Sequence, residues 1–261
     1  TILVRLQGTD ISSHYTLAIL NSKLLDAWYA VNGQTQSNEQ RKYFPERVRQ
    51  IPIRRIAFTT PAGERERLVA EARALYERQG APREAPTDWR GWREHWRALW
   101  EWADARLPRQ PDGAPDTGHE QSDAVHDLLA LLAERMIALH KAKQETARGF
   151  TSWLEQQTGS ALDEWKLKTV VQSFWEQPWD ELARALHQNR ARFVQTQGLR
   201  GKAADAALEP LVRAARSRWE QSTDALAPTL ALIGATDRLI DLLVYRLYGL
   251  TDDEIDLVEE S

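Results

Sequence analysis

Ser122-Asp-Ala-Val-His-Asp-Leu128-Leu-Ala-Leu-Leu132-Ala-Glu-Arg-Met136-Ile-Ala-Leu139 opens a stretch that runs without proline to Gln157. Val125, Leu128, Leu132, Met136, Leu139, Phe150 and Trp153 recur along it at the spacing of one helix face. The pattern predicts a single helix over 122–157. A helix of that length is expected in a hairpin arm or in coiled-coil-like packing. The fold class follows: mainly α, with long antiparallel helices.

Downstream, Gly159 stops the helix and Ser160-Ala-Leu-Asp163 restarts one. Further helices are predicted over 178–195, 202–233 and 236–248, and Thr251-Asp-Asp-Glu254 reads as a capping box opening a short last helix. Upstream, 108–118 is a loop rich in proline and glycine. Trp89, Trp92, Trp96 and Trp100 step along one helical face, and 64–79 is an amphipathic helix ended by Gly80. Residues 1–62 mix periods. Ile2, Val4 and Leu6 alternate as in a strand, and Ile51-Pro-Ile-Arg-Arg-Ile-Ala-Phe58 is a second β-rich run, with Pro52 at an edge or strand start. Between them Leu17, Leu20, Leu24 and Trp28 fit a helix from Ser13 to Val31. The expected organisation is a small α/β remnant over 1–62 followed by a helical domain over 63–261. Thr1-Ile-Leu-Val-Arg-Leu-Gln7 opens like the middle of a strand, as in a piece of a longer polypeptide; removal of an initiator methionine would look the same.

The 261 residues include 34 Lys plus Arg, 38 Asp plus Glu, one Met, eleven Trp and no Cys. Without cysteine there is no disulfide framework, Cys-ligated metal or thiol catalysis. No apolar run approaches a membrane span, so a soluble, cytoplasmic protein is expected. The net charge of −4 argues against a uniformly basic coat for nucleic acid but leaves room for a local patch. Catalytic signatures are missing: no G-x-G-x-x-G, no G-x-S-x-G and no H-E-x-x-H. Glu164-Trp-Lys166 has the E-x-K spacing of nucleases but falls on a predicted helix. His119 and His126 read as surface residues. So do Asp237, Asp241, Asp252 and Asp253, as helix-start and surface charges.

Three features could bind. Arg41, Lys42, Arg47, Arg49, Arg54 and Arg55 face one acid, Glu46, between residues 40 and 63. Such cations suit phosphate contacts, with an arginine able to fork onto guanine; the other reading is a solvated segment paired to helical carboxylates. Arg90, Arg93 and Arg97 interleave with the tryptophans, either as a stacking platform for single strands or as the polar edge of an aromatic core face. The apolar stripe of 122–157 must meet either another helix of the chain or another subunit.

Two phrases, taken together, carry a resemblance. His14-Tyr-Thr-Leu-Ala-Ile-Leu-Asn-Ser-Lys-Leu-Leu25, with Tyr43-Phe-Pro45 and Gln50-Ile-Pro-Ile-Arg-Arg-Ile-Ala-Phe58, resembles the end of a TaqI-like C-terminal specificity domain. Thr236-Asp-Arg-Leu-Ile-Asp-Leu-Leu-Val-Tyr-Arg-Leu-Tyr-Gly-Leu-Thr-Asp-Asp-Glu-Ile-Asp256 looks like the terminal segment of the same large proteins, the type IIG restriction–modification enzymes and BREX-like adenine-specific DNA methyltransferases of phage defence. The resemblance implies a target-recognition fragment whose parent uses S-adenosylmethionine in an upstream domain. The N/D-P-P-Y/F and cofactor-binding glycine motifs of that domain are not in this sequence. No cofactor is therefore expected in this chain; its partners would be double-stranded DNA and the upstream methyltransferase domain. The alternative is a helical adaptor that binds another protein.

Overall fold

A computed structural model describes residues 10–32 and 49–261. It is mainly α. Ten helices occur among the described residues: α1 Ser13–Leu20, α2 Lys23–Asn32, α3 Ala62–Gln79, α4 Trp89–His95, α5 Arg97–Asp104, α6 Ser122–Thr158, α7 Lys168–Gln172, α8 Trp179–Asn189, α9 Gly201–Tyr248 and α10 Asp252–Glu259. The described residues form no strand, only one isolated bridge between Arg109 and Pro115. The expected strand over 51–58 is thus corrected. Its inward residues Ile53 and Ile56 do pack on the core, but no second strand lies beside the segment. Ile2, Val4 and Leu6 lie outside the described residues.

The chain divides into two compact units, and the division does not fall at 62–63. The first joins the described residues up to Ile137 with Leu232–Ser261; the second is Ala138–Ala231. In the first, the early turns of α6 (Val125, Leu128, Leu132) share a core with the late turns of α9 (Leu239, Leu243, Leu247). In the second, Phe150 and Leu154 of α6 share a core with Leu208, Leu211 and Ala215 of α9. Early with late and late with early is the order of antiparallel partners.

Three helix boundaries differ from the sequence reading, each for a local reason. The helix expected over 13–31 is two, because Asn21 caps α1 and Ser22 Oγ turns back to the Ile19 carbonyl at 2.8 Å. As a result the buried face is Tyr15, Ala18, Ile19, Leu25 and Tyr29 rather than the Leu17 stripe. The tryptophan helix breaks at Trp96 into α4 and α5. Conversely, α9 runs unbroken through Pro228 and Gly234. There Trp96 Nε1 donates to the Ala235 carbonyl and the Tyr76 hydroxyl bonds Thr236 Oγ1 at 2.7 Å, so small residues admit two large rings. Tertiary packing overrides propensity at this point.

Candidate nucleic-acid interface

The two phrases that carry the resemblance meet in the first unit. Asn21-Ser-Lys23 forms the α1–α2 corner, and the Lys23 backbone N–H donates to Asp241 Oδ1 of α9 at 2.8 Å. Lys23 Nζ reaches Glu259 of α10 at 3.2 Å, and Arg238 reaches the same carboxylate at 2.9 Å. The Tyr245 hydroxyl donates to Glu259 Oε1 at 2.8 Å. Burial alone would raise the Glu259 carboxyl, but hydrogen bonds from Arg238, Tyr245 and Lys23 outweigh it and hold it below the usual range. Asp241 goes the other way. It is 5% exposed, and burial pushes it up to about 7 against the pull of the Lys23 N–H and Arg238. Read from sequence as a surface charge, Asp241 is instead a buried joint; its partners, far away in the chain, left no local signal.

The second phrase then reaches the basic segment. The Tyr248 hydroxyl donates to the Pro52 carbonyl at 2.7 Å and accepts the Arg54 N–H at 3.1 Å. Gly249 ends α9 with φ +76, a left-handed value open to glycine. Thr251 and Glu254 form the capping box of α10, as the sequence predicts. Farther along, Thr60 gives its N–H and its hydroxyl to buried Asp123, at 2.8 and 2.7 Å. Arg65 bonds Asp127 at 2.8 Å and lies over the Phe58 ring. Residues 52–60 are therefore strapped across the ends of α6 and α9.

This strap sorts the predicted cations. Arg54 points inward: its guanidinium donates to the Leu247 carbonyl and pairs with Glu120 at 2.5 Å. Both side chains are mostly buried, and Glu120 also accepts from Ser122 Oγ at 2.8 Å. Arg49 and Arg55 are exposed and have no ion-pair partner among the described residues. Arg41, Lys42 and Arg47 lie outside the described residues, as do Tyr43 and Phe44. The sequence set is thus brought together only in part, as one structural and two outward-facing arginines.

The other candidates resolve toward packing. Trp89, Trp92, Trp96 and Trp102 are buried. Arg90 makes a two-pronged bond to Asp256 at 2.7 Å and Arg93 meets Asp252 at 3.1 Å, so the arginines clasp α10. Arg90, with Trp89, holds the Asp256 carboxyl down to about 2. His126, expected at the surface, is buried between Tyr15 and Phe58. Its Nε2 accepts the Ser12 N–H at 3.0 Å, which leaves Nδ1 to donate to Asp127 at 2.7 Å. Among the described residues no cluster could hold a metal ion, and no helix is long and apolar enough to cross a membrane.

No protein-family model matches the chain, and neither a curated protein nor a solved structure matches it.

Proposed function

We propose that the chain is the target-recognition part of an adenine-specific DNA methyltransferase or fused restriction–modification enzyme of phage defence, acting on duplex DNA in the cytoplasm. One observation carries the reading. The two phrases that resemble such enzymes, at opposite ends of the sequence, are bonded to each other through Lys23, Asp241 and Glu259, and the second holds the basic segment in place through Tyr248. Arg49 and Arg55 are then the outward contacts, with Arg41, Lys42 and Arg47 on the same run. Arg54 positions them from inside. Methyl transfer belongs to an upstream domain carrying S-adenosylmethionine. This chain has neither of the motifs that hold that cofactor, so its residues take no step in the chemistry.

The adaptor reading loses its motive. The stripe of α6 that needed a partner is buried within the chain, with Leu128, Leu132, Phe150 and Leu154 all fully covered. The test is duplex binding by the parent enzyme across a salt series, comparing wild type with Arg49→Ala and Arg55→Ala. Removing one phosphate ligand should flatten the salt dependence by about one unit. An unchanged slope in both variants removes the basic run from the interface.

A further inference from the structure

A cavity of about 480 Å³ opens beside the start of α10, lined by Trp100, Asp104, Arg109, Arg246, Thr251 and Asp252 among others. Its size is that of a small-molecule site. Its charges differ in how far they are already satisfied. Asp104 takes Arg246 Nε at 2.5 Å, and Arg246 also donates to the Leu107 carbonyl. Asp252 takes Arg93 at 3.1 Å. Glu254, just beyond the wall, is bonded to both the N–H and the hydroxyl of Thr251. Arg109 alone has no carboxylate within ion-pair distance among the described residues. Its guanidinium reaches only two carbonyls, Leu250 at 3.3 Å and Gly113 at 3.5 Å. Burial and the neighbouring Arg246 hold that guanidinium below its ordinary pKa, as expected of a partly buried cation with no counter-charge. The first turn of α10 adds N–H groups that have no partner within the helix. Trp100, half-buried, supplies an aromatic wall, with Arg93 lying 5.6 Å from its ring centre.

We propose that this cavity binds a phosphoryl group, with Arg109 as its charged ligand and Trp100 as the wall on which an attached base stacks. An uncompensated guanidinium and a helix start meet the charge, and the indole distinguishes a nucleotide from a bare anion. The phosphoryl group is either that of a free nucleotide or one on a nucleic-acid backbone. The Arg49 and Arg55 contacts proposed above are not involved.

Calorimetric titration of the 261-residue chain with inorganic pyrophosphate and with AMP tests the site. Both should bind saturably, and Arg109→Ala should weaken both about tenfold, as expected when one charge-assisted hydrogen bond is removed. Trp100→Leu should weaken AMP and leave pyrophosphate unchanged. Arg109→Gln, which keeps an amide for the Leu250 carbonyl but no charge, repeats the test should the alanine variant fold poorly. A short DNA duplex that displaces AMP identifies the natural phosphoryl group as nucleic acid, and one that does not identifies it as a free nucleotide. Failure of both probes to bind, or binding undiminished in the Arg109 variants, overturns the proposal. Either result leaves the Arg49 and Arg55 salt series untouched, so the two readings fail separately.

Discussion

The backbone N–H of Lys23 ends on the carboxylate of Asp241, 2.8 Å away and 218 positions later in the chain. The first N–H groups of a helix have no partner within it, and α2 borrows one from α9. Lys23, Asp26, Asp237, Arg238 and Asp241 line one small cavity there.

Asp241 makes the stability of this joint pH-dependent. Its carboxyl sits at about 7 in the fold because burial disfavours the charge, against roughly 3.9 in an unfolded chain. The folded state therefore binds the proton more tightly. Its contribution is complete below the unfolded value and is lost as pH rises through about 7. Asp241→Asn keeps an oxygen for the Lys23 N–H and does not titrate. Its melting temperature relative to wild type should climb between about pH 4 and 8, the window those two values bracket; a constant difference would mean that Asp241 is already ionised across that range.

Arg54 and Arg55 are adjacent but should behave as different kinds of residue. Arg54→Ala leaves Glu120, 4% exposed, facing an empty site and should cost about 2–3 kcal/mol, since an unpaired buried charge is expensive. Arg55→Ala should change stability by less than about 0.5 kcal/mol while flattening the salt dependence of duplex binding. Chemical denaturation beside a binding series separates the two, and equal destabilisation by both substitutions would contradict the strap.

Leu132 lies at the centre of the first unit's core. Leu132→Ala should lower stability by about 2–5 kcal/mol, depending on how far the site collapses. Sedimentation should give the same mass for wild type and variant. A wild-type dimer that falls apart on this substitution would return the α6 stripe to an interface.

Gly159 closes α6 with φ +66, and a Cβ there would press into the side chain of Val194. Gly159→Ala combines a left-handed backbone with a steric clash and should cost about 1–3 kcal/mol. Hydrogen exchange should report the loss within residues 138–231.

The sequence is most legible where periodicity is strong and its partners are local. The α6 stripe predicts Ser122–Thr158 almost to the residue, and Thr251 with Glu254 predicts the start of α10. Legibility fails where a distant partner decides. Alternation through Ile53 and Ile56 marks an inward face correctly, yet cannot reveal that Tyr248 and Asp123 replace a neighbouring strand. Composition makes Arg54 and Arg55 equivalent, and only Glu120 tells them apart. A glycine at 234 looks like a helix end until Trp96 is found docked on Ala235.

The split of the first unit around residues 138–231 bears on the order of synthesis. A ribosome that has reached Ala231 has already made every residue the second unit packs, whereas Tyr15, Trp89 and Leu128 still lack Leu239, Leu243 and Tyr245. The later-made half-core can therefore close first, and aromatic surface made early stays exposed until the last turns of α9 emerge. That interval is when a chaperone would have most to hold.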